Sequence, residues 1–176
     1  KNLKFLFDMT ERKGELLNDL SVERELDALN SLCEIWKCEY TYTGRELYSR
    51  IDGIFTRDNV IKGIFDVKVK NQSLSWFVDY KSCMVNYSKV QMASDLSRLL
   101  KVKFFCVYQT SDKHLLVFQI TNEEGQIVCP MNIRYNKPNP LQQKNNGKPM
   151  KQSAIAYLPL ENNDYLTTYK SKGIGY

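Results

Sequence analysis

The stretch from Arg50 to Lys70 constrains the fold of this chain more than any other. It holds two apolar runs separated by Thr56-Arg57-Asp58-Asn59, a polar segment with the composition of a tight turn. The pattern predicts a β-hairpin whose second strand runs from Val60 to Val69. The first run contains Asp52, which the hairpin would bring alongside the second strand.

The second strand carries an acid and a lysine two residues apart. Side chains at this spacing project from the same face of a strand. Asp66 and Lys68 are therefore expected to share a face with Ile64, with Phe65, Val67 and Val69 on the other face. With Asp52 beside them, they could hold a divalent cation and position a water against a phosphodiester. A salt-bridged pair on a solvated strand face is the plainer interpretation of Asp66 and Lys68, and such pairs stabilise a fold little.

A second acid-x-lysine pattern, Asp79-Tyr80-Lys81, is an alternative for the same site. It lies in the segment from Asn71 to Asn86, which the sequence leaves unassigned and which could contain another strand. The Asp66 pattern is preferred because a short turn joins its strand to that of Asp52. Asp79 would need an additional chain crossing.

Glu25 is a further candidate because it interrupts the apolar stripe of a predicted helix. That helix runs from Ser21 to about Lys37, and its apolar residues recur at 3.6-residue spacing: Val22, Leu26, Leu29, Leu32, Cys33 and Trp36. A carboxylate on the core face must be paired, protonated or bound to a metal. Its place in the first predicted turn offers another explanation, since the helix dipole favours an acid there.

The remaining patterns predict an α/β or α+β fold with a mixed sheet flanked by helices. A strand is expected before the hairpin, and Ser88 opens a capping box for a second long helix. Two apolar strands follow, Val102 to Gln109 and Leu115 to Ile120. Beyond residue 120 the signals weaken, and an irregular C-terminal extension is expected. It includes candidate short strands at Ile127 to Cys129 and Met131 to Tyr135, a flexible loop from 136 to 152 and a returning strand at Ser153 to Leu160.

Composition is typical of one globular domain over residues 1–176. Its 43% hydrophobic content excludes disorder, and no apolar run approaches the ~20 residues that span a bilayer. Five cysteines without a C-x-x-C pair and a single histidine argue against zinc. With reduced thiols and no leader-like stretch, an intracellular, cytoplasmic location is expected.

Positive charge concentrates near the C-terminus, where six lysines against two acids follow Asn136. Clustered cations favour a polyanionic partner, although a solvated basic tail explains them nearly as well. The candidate contacts to nucleic-acid phosphates are Lys70, Lys89, Lys144, Lys148 and Lys151.

On these residues the chain resembles the PD-(D/E)xK nuclease superfamily, which has the restriction-endonuclease-like αβββαβ core. The resemblance covers about residues 21–120. The matching positions are Glu25 on the first helix, Asp52 at the end of the second strand, and Asp66-Val67-Lys68 on the third. The pattern is most similar to archaeal Holliday-junction resolvases and small phage endonucleases. It departs in having Asp66 where Glu is commoner and Ile51-Asp52 where Pro-Asp is usual.

The resemblance implies a DNA endonuclease that uses Mg²⁺ or Mn²⁺. Asp52, Asp66, the Val67 carbonyl and Glu25 would hold the metal, and Lys68 would orient or deprotonate a water. A junction resolvase acts as a homodimer, so a homodimer is expected if the substrate is a junction. The sequence does not choose between branched, duplex, flap and single-stranded substrates. The alternative function is a nucleic-acid-binding module that keeps the fold without cleavage.

Overall fold

The computed structural model describes residues 19–43, 51–136 and 153–170. Within these ranges the helices are α1 (Asp19–Trp36), α2 (Leu74–Tyr80) and α3 (Tyr87–Leu100). The strands are β1 (Glu39–Tyr42), β2 (Gly53–Arg57), β3 (Val60–Val69), β4 (Ser82–Asn86), β5 (Lys103–Gln109), β6 (His114–Thr121), β7 (Asn132–Asn136), β8 (Ser153–Pro159) and β9 (Leu166–Lys170).

The strands form two sheets. The larger has the order β1-β2-β3-β5-β6-β9, in which β3 and β5 run parallel and all other neighbours are antiparallel. The smaller is antiparallel, with the order β4-β8-β7. Parallel neighbours require a crossover connection, and α2, β4 and α3 together supply the one between β3 and β5. The prediction of an α/β protein with a mixed sheet is confirmed.

The hairpin of β2 and β3 has the tight turn that its sequence predicts. Arg57 pairs with Val60, so Asp58 and Asn59 form a two-residue loop. Both adopt left-handed backbone conformations, with φ of 53° and 60°. Two consecutive left-handed residues match the twist of the flanking strands. The polar pair therefore forms a tight turn that lets β3 pair antiparallel with β2.

The two faces of β3 belong to different halves of the hydrophobic core. Ile64 packs in a cluster that includes Val90 and Ala93 of α3. Phe65 and Val67 pack instead with Ala28, Leu29 and Leu32 of α1. The predicted alternation is therefore correct, and α1 and α3 cover opposite faces of the larger sheet.

The unassigned segment between β3 and α3 forms the short helix α2 followed by β4. The side chain of Ser73 caps the helix by accepting a hydrogen bond from the Trp76 amide at 3.4 Å. Lys81 ends the helix in a left-handed conformation, with φ of 64°. Asp79 is thus an exposed helical residue, and the Lys81 ammonium lies 3.4 Å from Glu161. Because the caps select a helix here, the alternative strand containing Asp79 and Lys81 is wrong.

The C-terminal residues add strands to both sheets, so the expected irregular extension is wrong at β9, whereas the short strand expected at Met131 to Tyr135 corresponds to β7. β9 adds to the larger sheet beside β6, and β8 lies between β4 and β7. Ala156 and Leu158 of β8 are fully buried in the α3 side of the core. The short apolar runs next to prolines in this part of the sequence indicate strands only weakly. These strands are stabilised by burial between neighbouring strands, which the local sequence does not show. The returning strand predicted at residues 153–160 is confirmed, whereas residues 137–152 lie outside the described part of the chain.

Candidate functional site

Asp52 directly precedes β2 and therefore lies at the start of the second strand. The resemblance had implied a position at the end of that strand. Its backbone amide donates to the Phe65 carbonyl, and its carbonyl accepts from the Thr43 amide, both at 2.9 Å. Its side-chain Oδ2 accepts a hydrogen bond from the backbone amide of Val67 at 2.8 Å. These bonds fix the carboxylate against β3, one residue from Asp66.

Gly53 permits this close approach of the strands. A Cβ atom at this position would overlap the carbonyl oxygen of Thr41 and the ring of Phe65. Gly53 pairs with Tyr42 on one side and with Phe65 on the other. Only a residue without a side chain fits between these neighbours, which makes Gly53 part of the support of Asp52.

Asp66 is fully buried on β3, and Lys68 lies on the same face with its side chain 26% exposed. The Lys68 Nζ is 2.6 Å from Asp66 Oδ2. A carboxylate withdrawn from water needs a partner of this kind to stay ionised. The sequence-based placement of Asp52, Asp66 and Lys68 in one cluster agrees with this geometry.

Lys89 of α3 completes the cluster from the other side. Its ammonium contacts Asp66 Oδ1 and lies 3.7 Å from Asp52 Oδ1. The helix begins at Tyr87 and is capped by Asn86, so the capping box predicted at Ser88 is wrong. The sequence predicted that Lys89 contacts phosphates, and it did not predict the contacts of Lys89 with Asp66 and Asp52. One signal in the sequence could have indicated these contacts. Lys89 lies in the first turn of a predicted helix, where the helix dipole disfavours a cation unless an acid lies nearby.

Burial and charge set different ionisation states for the two acids. Burial, together with the negative charge of Asp66, raises the pKa of Asp52 to about 7. Burial also opposes ionisation of Asp66, but Lys68 and Lys89 outweigh it and lower the Asp66 pKa below its ordinary value. The pKa of Lys89 is raised because the two acids outweigh its burial. At neutral pH Asp66 is therefore an anion, Lys89 a cation, and Asp52 close to half protonated.

Glu25 is buried as its pattern predicts, at 8% exposure, but it has a different partner from the one expected. Its Oε2 accepts a hydrogen bond from the Tyr42 hydroxyl at 2.8 Å. α1 begins at Asp19, so Glu25 lies in the second turn, where the helix dipole has little effect. Because α1 packs on the face opposite to the Asp66 side chain, Glu25 is not brought into the cluster. Across residues 19–43, 51–136 and 153–170, no three Asp, Glu, His or Cys side chains form a group that could hold a metal ion.

The donor set of the cluster nevertheless fits Mg²⁺. This ion keeps several waters and commonly binds one or two carboxylates together with substrate phosphates. Asp52 and Asp66 supply two carboxylates. The Val67 amide faces Asp52, and the carbonyl of a strand residue points to the same neighbour as its amide. The Val67 carbonyl is therefore directed to the side of β3 where Asp52 lies.

Of the other lysines predicted to contact phosphates, the structure describes Lys70. Lys70 is half-buried just beyond the end of β3, where its amide donates to the Gln109 carbonyl at 2.8 Å. It follows Lys68 by two residues, so it extends the basic end of β3. Lys144, Lys148 and Lys151 lie outside the described residues.

Comparison with known proteins identifies no relative, since no family model, curated protein or solved structure matches this chain. Among the helices of the described ranges, none is long and apolar enough to cross a bilayer. Functional inference therefore depends on the geometry of the cluster formed by Asp52, Asp66, Lys68 and Lys89.

Proposed function

We propose that this chain is a Mg²⁺-dependent endonuclease that hydrolyses DNA phosphodiester bonds. One observation carries the proposal: an acid just before β2 and an acid on β3 meet at a partly exposed site, with a lysine on the same face of β3. The side chains of Asp52, Lys68 and Lys89 are 23%, 26% and 30% exposed, respectively. Asp66 behind them is fully buried. Solvent can therefore reach the site.

Each residue has a definable task in this proposal. Asp52, Asp66 and the Val67 carbonyl would hold the metal, which when bound would polarise the scissile phosphate and acidify a water. Lys68, held as an ammonium by Asp66 Oδ2 at 2.6 Å, would orient that water and offset negative charge developing on the phosphate oxygens. Glu25, hydrogen-bonded to Tyr42, is not among the proposed ligands.

The order of elements supports the proposal. α1, β1, β2, β3, α3 and β5 follow one another as in the αβββαβ core of restriction-endonuclease-like nucleases, with α2 and β4 inserted before α3. Under this proposal the substrate is branched, flap, duplex or single-stranded DNA, and a homodimer is required only for a four-way junction.

The test is cleavage of labelled DNA of these four forms at pH 8 with Mg²⁺, Mn²⁺ or EDTA. We expect metal-dependent cleavage of at least one form, and a loss of about 100-fold or more in Asp66→Asn and Lys68→Met. Asp27→Asn is the control, because Asp27 is likewise an acid paired with a lysine, with its Oδ2 2.8 Å from the Lys113 ammonium. Cleavage that persists in Asp66→Asn, or that resists EDTA, contradicts the proposed site.

A second function, nucleic-acid binding without cleavage, is favoured by one observation. Lys68 and Lys89 already serve as charge partners of the acids, as in a structural cluster that needs no metal, and this favours a fold that is kept without catalysis. This function predicts that DNA is retained in gel-shift experiments and stays intact with Mg²⁺ or Mn²⁺. The same panel of DNA forms therefore separates the two functions.

A further inference from the structure

The ammonium of Lys89 occupies the space between the two carboxylates. It contacts Asp66 Oδ1 and lies 3.7 Å from Asp52 Oδ1. The remaining oxygens have other partners, since Asp66 Oδ2 lies 2.6 Å from the Lys68 ammonium and Asp52 Oδ2 accepts from the Val67 amide. The two oxygens that face Lys89 are thus the ones that a bound cation would share.

The charges of the cluster make simultaneous occupancy unfavourable. With both acids ionised, two carboxylates and two ammonium groups sum to zero, so a divalent cation meets no net attraction. At separations of a few ångströms in a partly buried site, Lys89 and the cation repel each other. Binding a cation therefore requires that Lys89 move away or that a further anion arrive.

We infer that Lys89 is a positioning residue that couples cation binding to phosphate binding, an inference that rests on the proposed function. A lysine has a flexible four-carbon stem, and this one is 30% exposed, so its ammonium can turn from the acids towards a DNA phosphate. The phosphate replaces the charge partner that Lys89 gives up. Asp66 keeps Lys68 throughout, which leaves Asp66 Oδ1 and Asp52 Oδ1 free for the cation.

The test is calorimetric titration of Ca²⁺, which does not require catalysis, at pH 8 with and without a DNA duplex. For the unmodified protein we expect DNA to tighten Ca²⁺ binding by about tenfold or more. Lys89→Met removes the charge and keeps the stem, so it should bind Ca²⁺ about tenfold tighter than the unmodified protein without DNA. Added DNA should then bring little further change. Lys113→Met, in the remote pair with Asp27, should behave like the unmodified protein.

The outcomes separate this inference from the proposed function. If the unmodified protein binds Ca²⁺ but Lys89→Met binds it equally or more weakly, Lys89 is a structural counter-ion and the inference is wrong, while the nuclease proposal stands. If none of the folded proteins binds Ca²⁺ even with DNA, both are wrong. Circular dichroism reports whether Lys89→Met is folded, and Lys89→Gln serves as the second variant if it is not. A shift of the Lys89 ¹⁵Nζ resonance on adding DNA with Ca²⁺ supports the inference, and an unchanged resonance contradicts it.

Discussion

The carboxyl group of Asp52 decides the net charge of the cluster around neutral pH. Asp66 stays ionised beside two lysines, whereas the pKa of Asp52 is raised to about 7 by burial and by Asp66. An acid of this kind is destabilising once it ionises, because the unfolded chain releases the proton at much lower pH. In the proposed enzyme, raising the pH through 7 would supply the second carboxylate for the metal.

Asp52→Asn should therefore stabilise the protein in a pH-dependent way. The folded-state pKa lies above the unfolded value of 3.8, so the unmodified protein loses stability relative to the variant as pH rises from about 4 to 7. Above pH 7 the difference is constant, at about 4 kcal/mol in favour of the variant. Thermal unfolding of both proteins at pH 4, 5.5 and 8 measures it, and a difference that shrinks with rising pH contradicts the assignment.

Asp27→Asn should change stability in the opposite direction to Asp52→Asn. The pKa of Asp27 is lowered, since its bonds to Lys113 and Gln109 outweigh its burial. This group stabilises the fold above its unfolded pKa, and the stabilisation is lost as pH falls through the folded pKa. Asp27→Asn should be less stable than the unmodified protein at pH 7, and the two should converge in strong acid.

At the scale of elements, the hairpin of β2 and β3 was predictable and the helix α2 was not. The hairpin follows from local chemistry, since Asp58 and Asn59 favour left-handed conformations and strict alternation fixes the faces of β3. The aromatic-rich run around Trp76 and Tyr80 fits a strand equally well by composition. Its helical form depends on the cap at Ser73 and on the packing of Phe77 against the core. The position of Lys89 relative to Asp66 likewise depends on how α3 docks, which one sequence does not reveal.

The strand β2 should be intolerant of any side chain at residue 53. Gly53→Ala places a Cβ atom against the carbonyl oxygen of Thr41, and backbone atoms cannot move away without breaking the pairing of β1 and β2. We expect a loss of about 2 kcal/mol or more in unfolding free energy. Urea denaturation measures it, with Lys62→Ala on the exposed side of β3 as the control that should change stability little. Equal stabilities would show that the strands separate more easily than this packing implies.

At the scale of the whole molecule, residues beyond 120 belong to the same core as the acid cluster. β8 buries Ala156 and Leu158 in the cluster that also holds Ile64 and Val90, and β9 extends the larger sheet. Sequence patterns predicted β8 but not its pairing with β4, because that pairing joins segments about seventy residues apart. Such long-range pairing leaves no local periodicity to detect.

Leu158→Ala tests whether β8 unfolds together with the rest of the core. Removing a fully buried leucine should cost about 2–5 kcal/mol, and unfolding should remain a single transition when followed by both far-ultraviolet circular dichroism and tryptophan fluorescence. Leu160→Ala, at a half-buried position of the same segment, should cost clearly less. Two separate transitions would instead indicate that β8 belongs to an independent folding unit.

From the parallel pairing of β3 with β5 we also expect an order of folding. Asp52 and Asp66 meet through a local hairpin, but Lys89 arrives only after the chain has formed the crossover through α2, β4 and α3. Until then the hairpin holds two carboxylates side by side with Lys68 as their neighbouring cation. Docking of α3 should therefore relieve the repulsion between these carboxylates, and acidic conditions, which neutralise them, should speed the formation of the hairpin.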